Sequence, residues 1–240
     1  MTSSKGPGTV RDWLARYTRE APVTSLFISI SCLVWAVTAL QSRSLIHSLA
    51  GSSLGDAWIL WGPEVVGEPF GLARTIGAIF LHLDLGHLAV NMFFLILVGR
   101  EIEKFYGSPL YATIFLAGGI GASATILWLE PLTPTAGASG ALYCLLAVFV
   151  TVSLRRGTDL RAPLVLIAVN VAYTFVASSV SLWGHLGGLA TGIVLAFLLA
   201  SRSRRVQVAG TTGVLLVVLV LVLWWNVTTA NSGMAGLLTG

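Results

Sequence analysis

Charged residues are what this chain has least of. Lys and Arg number 14 and Asp and Glu 10, together one tenth of 240 residues, where soluble chains carry about a quarter. So few charges cannot cover the surface of a water-soluble particle of this size, and a soluble globule is excluded. The net charge of +4 does not indicate nucleic acid, because the basic residues fall in short clusters between apolar runs, the placement that orients helices in a bilayer. Cysteine is nearly missing: Cys32 and Cys144 lie in apolar stretches, without disulfide or metal spacing, and read as small buried hydrophobes. Internal repeats, low-complexity tracts and the inverted symmetry of transporters are also missing. What is present is a 55% hydrophobic composition with mean hydropathy +0.86. The class these features specify is an all-α polytopic membrane protein.

A bilayer-crossing helix needs about 20 mostly apolar residues. Cutting the sequence at charges and Pro/Gly clusters predicts seven spans: 23–40, 85–98, 109–129, 139–154, 163–180, 185–200 and 211–227. The second, fourth and sixth are short with polar starts, as expected of helices inside a bundle. The seventh is a Val/Leu run ending in Trp224 and Trp225 and reads as lipid-facing, its tryptophans at an interface. The organisation expected is an N-terminal segment 1–22, a six-span core 23–205, and a seventh span with a short tail, 206–240. No cleavable signal is expected, since the basic start runs into a full-length span.

Twelve of the basic residues (Lys5, Arg11, Arg16, Arg19, Arg100, Lys104, Arg155, Arg156, Arg161, Arg202, Arg204 and Arg205) fall on one side of these spans, and only Arg43 and Arg74 on the other. The positive-inside rule then puts the N-terminus in the cytoplasm and the C-terminus outside. Residues 11–17, with Trp13, Leu14 and Tyr17 among charges, suit the membrane surface. The external connection 41–74 carries Trp58, Leu60, Trp61, Phe70 and Leu72 and is expected to dip into the headgroup zone. A connection of that length tends to be functional.

In an apolar bundle the polar residues are informative, because an unsatisfied donor or acceptor in hydrocarbon costs several kcal/mol. They are His82, Asp84, His87 and Asn91 around the start of the second span, Ser139 at the start of the fourth, and His185 at the start of the sixth; Asn170 in the fifth reads as a helix-packing hydrogen bonder. The second, fourth and sixth spans run in the same direction, so their N-terminal ends share one depth and Asn91, Ser139 and His185 can meet. Those ends also point free N–H groups at the shared region. A hydroxyl, an imidazole and convergent donors make an acyl-transfer constellation. The competing readings are structural. Small residues promote close packing, and Gly184, Gly188 and Gly192 at four-residue intervals make a packing face. A membrane histidine can instead bond a neighbouring helix or serve a proton path. Tyr143, one turn after Ser139, is core or packs against His185. Asp84 suits the cap of the second span.

Together these residues resemble the rhomboid family of intramembrane serine proteases, over about residues 74–200. His87 and Asn91 match an HxxxN pattern, Gly137-Ala138-Ser139-Gly140 a GxSG, and His185, Gly188 and Gly192 an HxxGxxxG. His82, Glu101-Ile102-Glu103-Lys104 and Tyr106-Gly107-Ser108 also look like family positions. The resemblance implies a rhomboid-like six-helix bundle, here with one additional C-terminal transmembrane helix. It implies Ser139 as nucleophile and His185 as general base, a dyad without a carboxylate. The oxyanion hole would comprise the Ser139 N–H, the Asn91 amide and His87. Gly137 and Gly140 would give a tight approach to the nucleophile, Gly188 a close crossing of the fourth and sixth helices, and Tyr143 support for His185. Where the family's external loop commonly carries a Trp-Arg pair, Ala73-Arg74 keeps only the arginine.

The function implied is hydrolysis of peptide bonds in or near transmembrane segments, with lateral access near the fifth span and small residues before the cut. The alternatives are a catalytically inactive rhomboid-like protein that binds membrane clients, and a carrier of protons or small solutes. No cofactor and no metal is implied, because the histidines lack thiolate or carboxylate companions. The partners expected are transmembrane protein substrates and the lipid bilayer, not nucleic acid, in a bacterial cytoplasmic membrane or, failing that, an organellar one. Substrate identity and oligomeric state are not readable from the chain.

Overall fold

The computed structural model describes residues 9–176 and 180–232. Two helices open it, α1 (Val10–Glu20) and α2 (Pro22–Ser42). The first long connection folds into α3 (Ser53–Trp58), α4 (Gly62–Gly67) and α5 (Arg74–Gly77). Next, α6 (Leu85–Phe94) continues through one wider π turn, Leu95–Gly99, into α7 (Arg100–Tyr106). Five helices follow: α8 (Ser108–Leu129), α9 (Ser139–Arg156), α10 (Arg161–Val176), α11 (Leu182–Ala200) and α12 (Arg204–Asn231). Among the described residues, extended pairing is limited to one isolated bridge, Leu60 with Thr135. Among the described residues six helical stretches are long and apolar enough to cross a membrane, where seven spans were expected; α10, the expected fifth, is a shorter apolar helix. The chain is an all-α, multi-pass membrane protein with a six-helix bundle and an added C-terminal helix.

The element boundaries follow from local chemistry. Asp84 caps α6, its Oδ1 accepting the His87 N–H at 2.8 Å, as its sequence position implied. Where the charges after residue 98 predicted an end to the second span, the helix continues to Tyr106, because those charges find partners. Glu103 is buried and accepts from Val23 N (2.9 Å), Thr24 N (2.8 Å), Thr24 Oγ1 (2.7 Å) and Ser108 Oγ (2.6 Å), which ties α7 to the otherwise uncapped start of α2. Arg100 pairs with Glu20, Lys104 Nζ lies 3.4 Å from Glu20, and Arg156 lies 2.7 Å from Glu101. These pairs gather the ends of α1, α7 and α9 at one end of the bundle. The expected basic residue Lys5, the tail after residue 232 and positions 177–179 of the expected fifth span lie outside the described residues.

The centre of the bundle is α8, whose buried Ala117, Gly118, Gly119, Gly121, Ala122, Ser123 and Ala124 let neighbours approach closely. A Cβ on Gly118 would meet Cys144 of α9, and one on Gly121 would meet Thr191 of α11. The sixth span begins at Leu182, three residues before the expected start, because Ser181 caps it by accepting from Gly184 N–H at 3.0 Å. His185 therefore sits within its first turn.

Three further expectations are corrected. Cys32 is exposed, on the outer side of α2, and only Cys144 is buried. Tyr17 does not lie free on a membrane surface: it is buried, and its hydroxyl donates to the Ile96 carbonyl at 3.0 Å. Nor is α12 simply lipid-facing. Val218, Val222 and Trp225 bury themselves in a second apolar cluster with Leu60, Val65, Ile120 and Leu127, while Trp224 on the other face stays exposed.

Candidate active site

The loop 130–138 delivers α9 with Ser139 as its first residue. Its approach is fixed at two points. Leu60 and Thr135 exchange backbone hydrogen bonds of 3.0 and 2.9 Å, and Gly137 N–H donates to the Ala78 carbonyl at 2.9 Å. Gly137 has φ +135°, a conformation L side chains rarely adopt. A Cβ there would also stand 2.7 Å from His87 Cε1 and 2.9 Å from Nε2. The same built position is 3.8 Å from Ser139 Oγ, so the His87 ring and the serine oxygen flank one bare backbone position. The first bond of α9 runs from Leu142 N–H to the Ala138 carbonyl, 3.0 Å. The N–H groups of Ser139, Gly140 and Ala141 ahead of it have no acceptor inside the helix.

His185 reaches the same place from α11. A Cβ on Gly188 would collide with the backbone of Gly140, and one on Gly140 would meet Ala122 and lie 3.3 Å from the Gly184 carbonyl. The residues adjacent to Ser139 and His185 are thus in backbone contact, an approach only glycine permits at the crossing. Ser139, His185, His87, Gly137, Ser123 and Glu130 line one cavity of about 160 Å³, roomy enough for several water molecules. Ser139 is half-buried and His185 buried. Among the described residues no hydrogen bond joins Ser139 Oγ to His185, whose Nδ1 instead lies 2.7 Å from Thr174 Oγ1. The ring of Tyr143 stacks on that of His185, as the same-face spacing had allowed.

The other histidines form a second layer. Leu83 N–H points to His87 Nδ1 at 3.5 Å, and the other ring nitrogen, Nε2, is the one beside Gly137. His82 is fully buried, meets His87 edge-on at 5.2 Å, and has its Nδ1 3.2 Å from the Phe80 carbonyl. Asn91 is buried one turn below His87 and donates from Nδ2 to the His87 carbonyl at 2.8 Å. It does not line the cavity. Sequence reasoning overlooked Thr174, although Asn170 and Thr174, four residues apart in an apolar helix, share one face.

The wall above the cavity is held by Arg74. Its Nη1 donates to the carbonyls of Asp56 (2.7 Å) and Ile59 (3.0 Å), and its Nη2 lies 2.5 Å from Glu64 Oε2. Arg74 shares the anchoring of this loop with the Leu60–Thr135 pair and with Trp61, whose Nε1 donates to the Leu132 carbonyl at 3.1 Å, in place of the Trp-Arg pair that the family pattern led one to expect.

Comparison with known proteins places this arrangement. The Rhomboid domain description matches residues 69–202, more than half of the chain and every residue of the cavity just described apart from Leu60. Rhomboid protease GluP of Bacillus subtilis is 37% identical over 131 residues, covering 51% of this chain and 25% of GluP. YdcA of the same organism is 26% identical over 200 residues, 79% of this chain and 94% of YdcA. RHOMBOID-like protein 6, mitochondrial, of Arabidopsis thaliana is 32% identical over 138 residues, 55% of this chain and 45% of that protein. The chain thus spans a quarter of GluP's length and nearly all of YdcA's. With its three-part histidine, serine and histidine pattern brought to one cavity inside a helical bundle, the chain belongs to the rhomboid family.

Proposed function

We propose that this protein is an intramembrane serine endopeptidase in which Ser139 is the nucleophile and His185 the general base. The observation that carries the reading is the shared cavity of about 160 Å³ onto which Ser139, His185 and His87 all open. Ser139 Oγ attacks the scissile carbonyl while His185 takes its proton. The tetrahedral intermediate collapses as His185 returns that proton to the leaving amine, giving an acyl-serine. A water in the cavity, deprotonated by His185, then releases the acid and restores Ser139. The developing oxyanion meets the Ser139 N–H at the start of α9 and the His87 Nε2–H, donors fixed before the reaction. Asn91 spends one amide N–H on the His87 carbonyl and has a second to offer, once its side chain shifts toward the cavity. The missing Ser139–His185 bond is no obstacle, since catalytic hydrogen bonds often tighten only when substrate binds.

Substrates on this reading are transmembrane segments that unwind near the external interface. Helix carbonyls are otherwise occupied by internal bonds, so segments with Gly, Pro or other small residues are favoured. We assign access to the side of α10, whose Leu164, Val165, Val169 and Phe175 are exposed. We assign the end gathering Arg100, Lys104 and Arg156 to the cytoplasm of a bacterial cell. The core 23–205 is taken as the catalytic unit, with 1–22 and 206–240 as flanking segments. Co-expression with a panel of single-span membrane proteins tests the proposal. Cleavage is expected with the wild type and none with Ser139→Ala; cleavage that survives Ser139→Ala overturns it.

The second reading, a rhomboid-like protein that binds membrane clients without cutting them, draws on the absent Ser139–His185 hydrogen bond. It predicts client capture that is indifferent to both residues.

A further inference from the structure

A base needs a fixed orientation and a fixed tautomer, and in Ser-His-Asp enzymes a carboxylate on the far imidazole nitrogen supplies both. The 139–200 region of this chain offers only Asp159 as an acid, at an exposed position between α9 and α10. The far nitrogen of His185 nevertheless has a partner. Thr174 of α10, buried, places Oγ1 2.7 Å from Nδ1. The same oxygen is 2.5 Å from the Tyr143 hydroxyl and donates to the Asn170 carbonyl at 3.0 Å; the Tyr143 hydroxyl also reaches that carbonyl at 2.5 Å. Two side chains, Tyr143 of α9 and His185 of α11, and the Asn170 backbone carbonyl of α10 converge on one threonine oxygen.

Counting protons decides the direction of these bonds. A threonine hydroxyl has one proton and two lone pairs. If Thr174 gives its proton to the Asn170 carbonyl, its two lone pairs accept from Tyr143 O–H and from His185 Nδ1–H, and the oxygen is fully used. If Thr174 instead donates to Nδ1, the Tyr143 hydroxyl serves the Asn170 carbonyl, the cluster makes two bonds where the first arrangement makes three, and the His185 proton sits on Nε2, where it blocks base action. The first arrangement is favoured because it places three protons in bonds inside the buried cluster against two in the second, a typical hydrogen bond contributing about 0.5–1.5 kcal/mol.

We propose that Thr174 is the positioning residue for His185, its hydroxyl accepting the Nδ1–H and so leaving Nε2 bare as the proton acceptor for Ser139. The proposal rests on the protease reading for its consequence but not for its geometry. Thr174 touches neither substrate nor reacting atoms; it acts through the imidazole. Tyr143 holds the plane of the ring by stacking and secures the threonine oxygen by its hydroxyl. Because Thr174 lies on α10 and His185 on α11, the register between these two helices sets the state of the base.

Two measurements on the full-length protein in detergent test it, one kinetic and one independent of turnover. With a transmembrane test substrate, Thr174→Val removes the hydroxyl at nearly constant shape, and kcat is expected to fall roughly ten- to hundredfold with KM unchanged. Thr174→Ser, which keeps the hydroxyl, is expected to stay within about threefold of wild type. A mere packing role would make serine the worse replacement. Wild-type kcat in Thr174→Val, alongside an inactive His185→Ala, overturns the proposal and leaves the protease reading standing. Histidine ring 15N shifts report the tautomer whether or not the protein cleaves anything. His185 is expected to carry its proton on Nδ1 in the wild type and in Thr174→Ser, and to lose that preference in Thr174→Val. A proton on Nε2 in the wild type overturns the proposal. An inactive wild type with the Nδ1–H tautomer sinks the protease reading alone.

Discussion

The ring of Tyr143 lies nearly parallel to that of His185, centroids 4.2 Å apart and planes 12° from each other. Both are buried, and the stack holds the imidazole plane where a carboxylate would otherwise do so. Such a pair is worth about 0.5–1.5 kcal/mol beyond its buried area. Tyr143→Phe keeps the stack and loses the hydroxyl contact to Thr174, so kcat is expected to fall several-fold. Tyr143→Ala loses both and is expected to fall at least roughly tenfold further. Cleavage kinetics with one substrate check the order; equal rates for the two variants would separate the ring from the base.

Gly188 and Gly140 bring α11 and α9 into backbone contact. Leucine at Gly188 must push the helices apart, and overpacking of this kind costs about 1–3 kcal/mol. Gly188→Leu is expected to lose activity more completely than it loses stability, because the displaced helices carry Ser139 and His185. A thermal unfolding series beside an activity assay reads both. Full activity in this variant would contradict the crossing.

Arg74 ties the connection between α2 and α6 through two carbonyls and Glu64. Arg74→Ala is expected to cost about 2–4 kcal/mol and to open residues 44–73 to added protease. Arg74→Lys should recover only part of this, since an ammonium lacks the guanidinium fork. Limited proteolysis followed by mass mapping locates the cut; a loop as resistant as wild type in Arg74→Ala would show that the anchor lies elsewhere.

Glu20, at the end of α1, has its carboxyl held below the usual range by the Arg100 hydrogen bond and then by Lys104. A depressed folded value means that the stabilisation is present above the unfolded value and is lost as the pH falls through the folded one. Wild type and Glu20→Gln should therefore differ in thermal stability near neutral pH and converge as the pH drops below about 4. A difference that stays constant with pH would remove the ion pair from the account. Glu20 is partly open to solvent, so added salt should shrink the difference as well.

Much of this molecule was legible before its coordinates. The apolar runs located the long helices, although six of the described helices, not the seven expected, are long enough to cross and α10 falls short, and the polar starts of the second, fourth and sixth spans marked the ends that converge at the cavity. Asp84 announced a cap, and the glycines of α11 a crossing. What periodicity could not show was how charges after residue 98 would be accommodated: Glu103 is satisfied by donors some 80 residues away in sequence, and no local pattern encodes that. The fate of Trp225 was hidden for the same reason, because its burial depends on Gly62 and the loop α12 packs against. Thr174 was missed because a lone hydroxyl in an apolar helix normally bonds its own backbone. Thr174 does so, to Asn170, and only the packing of α10 on α9 and α11 reveals its other two partners.

The central claim is that Ser139 is an activated nucleophile. Purified protein treated with a fluorophosphonate, followed by peptide mapping, measures this directly. The account predicts a covalent adduct on Ser139 in the wild type, and its loss or strong slowing in His185→Ala. A wild-type protein that is folded yet unlabelled at Ser139, or labelled equally fast without His185, would contradict it.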